Sequence, residues 1–388
     1  MTDVIYDYQA FSMQQTGGVS RYFAQLIKAF EQDPDLAVTP YLQLSYAANR
    51  YLKDDLDVKA SPLFHRYQGR GRGKLQGIGN IANRNATFQL LLRHMDAIYH
   101  PTYFDPWFLH MREGQKNLSF ANPMVVTVHD MIHELRSDQV ADPQTVAKKR
   151  AMMHHADAIV AVSAATMDDI VALYPDYKSK ITVIHHGNSL DDEVTVGNFP
   201  HDEPYLLFVG NRWGYKNFHA VAHACVQLFA DYPDLQLVCA GGGTFTSAEM
   251  ELLRSLGISS RVMQHNPSDE VLKAMYQGAA IFVFPSQYEG FGLPVLEAMG
   301  NGASCVLSDS SSLPEVGADA ALYFDAGTAD GGADELAQQC KCILDDSTVR
   351  KQLIAAGYSR ATQFSWQKCA QQHADLYTSL HAKVKATS

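Results

Sequence analysis

The sequence predicts an α/β protein of two doubly wound domains with parallel sheets, and three observations carry that prediction. Short, uniformly apolar runs alternate with longer amphipathic stretches along most of the chain, the pattern of parallel strands joined by crossover helices. A length of 388 residues suits two mid-sized domains or one large one. An acidic stretch with two prolines and little periodicity, NSLDDEVTVGNFPHDEP at 188–204, divides the apolar runs into two sets and puts the boundary near 190–204.

In the first set an opening strand precedes GGVSRYFAQLIKAF, a glycine pair leading into an amphipathic helix. The clearest strands after it are DAIYH (96–100), MVVTVHD (124–130), AIVAVS (158–163) and ITVIHH (181–186). The second set holds YLLFVG (205–210), LQLVCAG (235–241), AIFVFPS (280–286) and ASCVLSD (303–309). Runs this apolar read as strands covered on both faces. Near the end, Phe364, Trp366, Cys369, His373, Leu376 and Leu380 recur close to helical spacing, so a terminal helix follows.

With 46% hydrophobic and 19% charged residues the chain can bury a sizeable core. The formal charge of −11 argues against a nucleic-acid partner, because phosphate affinity needs a basic surface. No window holds the run of 18 or more apolar residues that a membrane span requires, and MTDVIYDYQAF lacks the order of a signal peptide, so a cytoplasmic chain is expected. The six cysteines, Cys225, Cys239, Cys305, Cys340, Cys342 and Cys369, lack C-x-x-C spacing and read as buried thiols. One segment breaks the acidic balance. Residues 58–95 carry Lys59, Arg66, Arg70, Arg72, Lys74, Arg84 and Arg93 without one acidic side chain, which reads either as a solvated loop or as a patch for an anionic membrane surface or a phosphate-bearing acceptor.

The most specific motif is Glu289-Gly-Phe-Gly-Leu-Pro-Val-Leu-Glu297, two carboxylates seven residues apart directly after a strand. A strand, a glycine turn and a helix start make an anion site in α/β proteins, with Phe291, Gly292 and Leu293 supplying amides. The structural alternative is a helix cap at Glu289 and a solvated helix residue at Glu297. In GNRWGYKN (210–217) Arg212 and Lys216 stand four apart at the end of another strand, where two cations suit a diphosphate without a metal; ordinary surface cations are the alternative. Gly17-Gly18 would let backbone approach a ligand closely. His129 and His133 share the spacing of a zinc-protease pair, but Asp130 stands where that motif needs a glutamate and VVTV ahead of His129 reads as a strand. His129 is therefore taken as a strand-end residue that meets a ligand or serves as a hydrogen-bonded structural histidine. His154/His155, His185/His186 and His219/His223 lack thiolates or carboxylates at ligand spacing, and no metal or cofactor is expected.

Taken in order, GGVSRYF, HPTYFDP (100–106), TVHDMIHE (127–134), AIVAVSAATMDDI (158–170), FVGNRWGYKN (208–217), CAGGG (239–243), FPSQYEGFGLPVLEAM (284–299), SSLPEVGADAALYF (311–324) and FSW (364–366) resemble the retaining GT-B glycosyltransferases of the family-4, or group 1, type. The resemblance implies two Rossmann-like domains facing across a cleft: residues 1–190 for the acceptor, 205–365 for a nucleotide-sugar donor, and a helix at 366–388 returning to the first domain. It implies that Glu297 accepts from ribose hydroxyls, that Glu289 contacts the transferred sugar, and that Arg212 and Lys216 neutralise the departing diphosphate with help from the amides of Phe291, Gly292 and Leu293. His129 would touch the donor sugar, and Gly17-Gly18 would approach the phosphates or acceptor. Relatives often carry arginine directly before the lysine, where this chain has Tyr215, so Lys216 is the firmer assignment of the two.

The activity implied is metal-independent transfer of a hexose to a glycan or lipid-linked glycan in cell-surface polysaccharide synthesis, through an oxocarbenium-like state in which a donor phosphate oxygen takes the acceptor's proton. A general likeness to O-antigen mannosyltransferases favours mannose from GDP-mannose over UDP-linked hexoses, with residues 264–267 among the loops that read the base. A glycosidase needs an acid facing a base or nucleophile about 5–9.5 Å apart, not a ribose clamp and a sugar contact. Two rivals remain: a sugar-nucleotide epimerase of the same fold, and a non-catalytic nucleotide-sugar-binding subunit.

Overall fold

The computed structural model describes residues 1–61, 72–109, 122–190 and 194–387. They form two compact units, Met1–Gly187 with Trp366–Ser388 and Asn188–Ser365. In the first unit β1 (Thr2–Tyr6) lies between β2 (Val38–Leu42) and β3 (Ile98–His100), and β5 (Ala158–Ala161) lies between β4 (Val125–Val128) and β6 (Ile181–Val183), all parallel. A parallel bridge from Tyr99 to Met124 joins the two ladders, and the Tyr99 amide donates to the Pro123 carbonyl at 2.8 Å. Every residue of β4 and β5 is buried, as strands with helices on both faces must be.

The helix Gly18–Gln32 turns Tyr22, Phe23, Leu26, Ile27 and Phe30 into the core of this unit, the three-and-four spacing of one helical face. The C-terminal helix Trp366–Thr387 adds Trp366, Cys369, Ala370, Ala374, Tyr377 and Leu380 to that same core. The last helix thus belongs to the first unit. Phe364, which the sequence pattern placed on that helix face, stays with the second unit, edge-on to Phe291 at 5.9 Å.

The second unit is one parallel sheet of β7 (Tyr205–Val209), β8 (Gln236–Ala240), β9 (Val262–His265), β10 (Ile281–Phe284), β11 (Cys305–Ser308) and β12 (Ala321–Phe324), in the order β12-β11-β10-β7-β8-β9. This is the dinucleotide-fold order. The chain leaves β7 toward one edge and, from β10, fills the other, so the strand order reverses between β7 and β10. Loops leaving the carboxyl ends of these two neighbours diverge and open a crevice, the place where ligands bind in open α/β sheets.

The unit begins at Asn188, the first residue of the acidic stretch, ahead of the expected boundary at 190–204. The Asn188 amide donates to the Phe364 carbonyl (3.2 Å), Asn301 Nδ2 to the Leu190 carbonyl (2.9 Å), Lys273 Nζ to the Val194 carbonyl (2.8 Å) and the Gly197 amide to the Glu270 carbonyl (2.8 Å). Residues 191–193 lie outside the described residues. All six cysteines are free thiols; Cys342 is exposed, against the expectation of burial, and the other five are buried.

Candidate functional site

The loops after β7 and β10 carry the two most specific motifs, and strand order brings them together. Lys216 Nζ donates to Glu289 Oε1 at 2.5 Å, with the side chains 16% and 14% exposed. The Gln287 amide donates to the Tyr215 carbonyl at 2.8 Å, so the two loops are also tied through backbone. The Glu289 carbonyl accepts from Ser311 Oγ (2.6 Å) and Ser312 Oγ (3.0 Å), which fixes the turn that carries its carboxylate. Lys216 lies over the rings of Tyr215 and Phe284 at 5.2 and 5.5 Å, cation–π contacts that help hold the ammonium in place.

Beyond Glu289, Gly292 adopts φ +94° and opens the helix Leu293–Gly300, whose first turn no side chain caps. A Cβ at Gly292 would press against Leu313 Cδ2 at 2.8 Å, so both conformation and space demand glycine. Glu297 lies on the buried face of this helix, 4% exposed, and its Oε2 accepts from Tyr276 Oη at 3.2 Å. The pair Lys216–Glu289, the turn at Phe291–Leu293 and Glu297 thus lie on the loops that leave β7 and β10 and on the helix that follows β10.

Arg212 does not join them. Its side chain is 1% exposed, and Nε donates to Glu249 Oε1 at 3.0 Å. Nη1 donates to the Gly241 carbonyl (2.9 Å) and Nη2 to the Gly243 carbonyl (2.8 Å), with longer contacts to Gly242 and Thr244, while the guanidinium stacks on Phe245 at 4.6 Å. The expectation that Arg212 neutralises a diphosphate is corrected on this geometry: the fork is spent on backbone. Its cause is the CAGGG run. Gly241, Gly242 and Gly243 have φ of +81°, +71° and +72°, a turn that points successive carbonyls inward, and such acceptors need a donor with several N–H groups. Glu249 in turn closes the capping box with Thr246 at the helix Ser247–Ser255.

In the first unit His129 directly follows β4. Burial lowers its pKa to about 4, so the ring is neutral at physiological pH, and Nε2 is buried without a hydrogen-bond partner. The rings of Tyr22 and Phe23 meet it edge-on at 5.1 and 5.9 Å, which fixes its plane. His133 lies on the separate short helix Ile132–Leu135. At the glycine pair the two positions differ. A Cβ at Gly17 would collide with the Gln14 side-chain amide, which accepts from the Ser20 amide at 3.2 Å, whereas a Cβ at Gly18 would meet nothing within 4 Å.

This unit carries concavities among its described residues. The first, about 230 Å³, sits where strand order reverses between β1 and β3, and Tyr8, Gln9, Tyr103, Asp105 and Lys148 are among its lining. Gln9 of this lining is held by Asp7, fully buried, whose carboxylate accepts from Gln9 Nε2 (2.6 Å), Thr102 Oγ1 (2.7 Å) and Tyr99 Oη (2.8 Å). The sequence reading missed this cavity, because its residues come from three helices and the loop after β3, scattered between positions 8 and 148.

Comparison with known families gives two contiguous matches: Glycosyltransferase Family 4 over residues 16–192 and Glycosyl transferases group 1 over residues 191–360. The chain belongs to the family-4, group 1 glycosyltransferases of GT-B type. Among curated relatives of this glycosyltransferase, alpha-maltose-1-phosphate synthase of Mycolicibacterium smegmatis is 26% identical over 305 residues, 71% of this chain and 78% of that protein. O-antigen chain mannosyltransferase B of Escherichia coli is 43% identical over 109 residues, 28% of each chain. Two solved structures share the fold: sucrose-phosphate synthase from Thermosynechococcus elongatus, at TM-score 0.70 and 20% identity over 99% of this chain and 100% of that one, and Anabaena HepE in complex with UDP-glucose, at TM-score 0.69 and 15% identity over 98% and 100%.

The basic segment of this glycosyltransferase includes the helix Arg72–Arg93. Arg84 pairs with Asp105 at 2.9 Å, while Lys59 and Arg93 are exposed. Ile78 (54%), Ile81 (58%) and Leu92 (41%) expose apolar side chains on the helix. Arg66 and Arg70 lie outside the described residues, as do the side chains of Arg72 and Lys74. Among the described residues no helix is long and apolar enough to cross a membrane.

Proposed function

We propose that this glycosyltransferase moves a hexose, mannose from GDP-mannose by preference, from a nucleotide diphosphate sugar to a glycan or lipid-linked glycan of the cell surface, with retention and without a metal. The observation that carries this reading is the Lys216–Glu289 pair at the strand-order reversal of the second unit, beside the uncapped start of a helix. An ammonium has three N–H donors, so Lys216 can hold Glu289 and a phosphate oxygen together. With the amides of Phe291, Gly292 and Leu293 it stabilises the charge that grows on the leaving diphosphate. Glu297, already aligned by Tyr276, accepts from the ribose hydroxyls. Glu289 faces the sugar, and neutral His129 offers Nε2 to a sugar hydroxyl without adding charge. The open space above Gly18 admits phosphate or acceptor to backbone.

The bond from the anomeric carbon to the phosphate oxygen breaks as the bond to the acceptor oxygen forms on the same face, and the acceptor's proton passes to that phosphate oxygen. The cavity of about 230 Å³ in the first unit takes the acceptor, with Tyr8 and Tyr103 as ring platforms and Gln9, Asp105 and Lys148 as hydroxyl partners. The 43% identity to a mannosyltransferase over 109 residues supports mannose over other hexoses. Exposed Ile78, Ile81 and Leu92 on a helix without acidic residues support peripheral contact with an anionic leaflet, from a cytoplasmic location.

Thermal melting with GDP, UDP, ADP and dTDP, with and without EDTA, tests the donor. A true donor nucleotide at a hundred times its Kd stabilises by about 2.7 kcal/mol, and the shift persists in EDTA. Stabilisation by UDP alone would replace GDP in this reading, and none by any nucleotide would overturn the donor site. Incubation with GDP-mannose alone separates the epimerase rival, which converts donor without acceptor.

A further inference from the structure

The first unit carries a second concavity, of about 530 Å³, on the other side of the helix Pro143–His155 from the cavity assigned to the acceptor. Thr145 and Lys148 line the first cavity, and Val146, Ala147 and Arg150 line the second. At about 100° per residue these two sets occupy opposite faces of the helix. The second cavity is therefore separate from the site described above, and its volume falls within the range of about 300–1,000 Å³ typical of small-molecule sites.

Two buried polar atoms of its lining have no hydrogen-bond partner, Glu134 Oε1 and His133 Nδ1. The Glu134 side chain is 4% exposed, and its other oxygen accepts from Lys149 Nζ at 2.9 Å, itself 1% exposed. The carboxylate's charge is thus met already. What Oε1 lacks is a hydrogen-bond donor, and a buried acceptor left without one costs about 1–3 kcal/mol. His133 Nδ1 can donate or accept according to tautomer. Across the cavity Arg150 lies over the Tyr174 ring at 5.8 Å and presents planar N–H donors, while Leu173 adds apolar surface.

One acceptor, one atom able to do either, a fork of donors and an aromatic platform complement a sugar ring. Vicinal hydroxyls each donate and accept, and the ring's C–H face packs on apolar surface. A phosphorylated ligand fits poorly, because Arg150 is the one cation of the lining while Glu134 and Asp142 are acidic. We propose that this cavity is a second carbohydrate site, which takes a neutral hexose unit of a glycan away from its reacting end. The identity of the glycan rests on the transferase reading above; binding of the sugar does not.

The test is a titration of the full chain, carrying ¹³C-labelled Ala, Val and Leu methyls, with α-1,3-mannobiose and with maltotriose. Saturable shifts are expected at the methyls of Val146, Ala147 and Leu173 with at least one sugar. Arg150→Ala and Tyr174→Phe control the site: the first should weaken binding about tenfold, the effect of losing roughly 1.4 kcal/mol of hydrogen bonding, while the second keeps the platform and should bind as the parent does. Lys216→Ala, which disables the proposed donor site, should leave the shifts unchanged. Methyls that stay still with both sugars, or shifts that Arg150→Ala leaves unaltered, would overturn the proposal whether or not the chain transfers mannose. Transfer failing while these methyls respond would refute the donor reading and leave the second site standing.

Discussion

Replacing Arg212 by alanine separates its two possible roles. In the structure the guanidinium is buried, ion-paired with Glu249 and bound to the carbonyls of Gly241 and Gly243. Its removal leaves a part-buried carboxylate without its cation and inward carbonyls without donors. Losing these charge-assisted hydrogen bonds together costs about 3–5 kcal/mol. For a unit of this size each kcal/mol lowers the melting temperature by about 2–4 °C, so a drop of roughly 6–20 °C is expected. Arg212→Lys should recover little, since one ammonium cannot span carbonyls that the fork reaches from two nitrogens. Differential scanning calorimetry gives the stability, and isothermal titration with nucleoside diphosphate at a temperature well below either midpoint gives the affinity. The folded fraction of both variants should bind nucleotide within a few-fold of the parent. A parental melting point together with lost nucleotide affinity would refute the anchoring role and return Arg212 to the diphosphate.

Glu289→Gln should reduce kcat by about 10²–10³ with a modest change in donor KM, as loss of a group acting at the reacting centre does, whereas Glu297→Gln should raise donor KM about tenfold with kcat less affected; steady-state kinetics over donor concentration decides, and equal losses in both parameters for both variants would contradict the division. Gly18→Ala should fold and melt like the parent, because its Cβ meets nothing and alanine favours a helix, yet weaken donor or acceptor binding; Gly17→Ala should lower the melting point by displacing Gln14. Acid should destabilise the first unit through its buried histidines. His129 and His373 have pKa values lowered to about 4 by burial, against an unfolded value near 6.5, so the unfolded chain binds more protons and stability falls as pH drops from about 6.5 toward 4. Each histidine contributes about 2 kcal/mol of loss by pH 5, read as a falling urea midpoint, and a midpoint flat over that window would rule the buried neutral pair out.

Strands β4, β5, β7, β8, β10 and β11 were legible because strands covered on both faces are written as continuous apolar runs. The less legible strands lie at or toward edges. β2 contains Pro40 and is only part-buried, and β9 reads VMQH and β12 ALYF, each with two or three half-exposed positions. For the site, the glycine pattern around Glu289 pointed to a turn and a helix start, which local chemistry specifies. That Glu289 meets Lys216, 73 positions earlier, depends on β7 and β10 being neighbours, which no local window contains. Arg212 was misread for a related reason. Its spacing from Lys216 says nothing about which way either side chain points, and the carbonyls that claim it lie about thirty residues ahead. The CAGGG run held the missing signal, since three consecutive glycines at positive φ leave carbonyls that some multi-donor side chain has to satisfy.

The buried polar chain of the first unit explains why the last helix is built into the same core as the first strands. Tyr377 Oη lies 3.0 Å from Tyr6 Oη and 2.7 Å from His100 Nδ1; His100 Nε2 lies 2.8 Å from Thr127 Oγ1; and Tyr22 Oη lies 2.9 Å from His373 Nε2. These contacts run from the C-terminal helix to β1, to the end of β3 and into β4, two residues short of His129. Burial pushes the tyrosine pKa values up and the histidine values down, so every member stays neutral and none demands a counter-charge in the core. A satisfied network of this kind fixes geometry more than it adds stability, because each hydrogen bond replaces one to water while a misplaced partner would leave a buried polar group orphaned. The helix at the end of the sequence therefore sets the position of the strand end on which His129 stands. It does so without placing charge near a ring whose proposed task is to meet a sugar hydroxyl while uncharged.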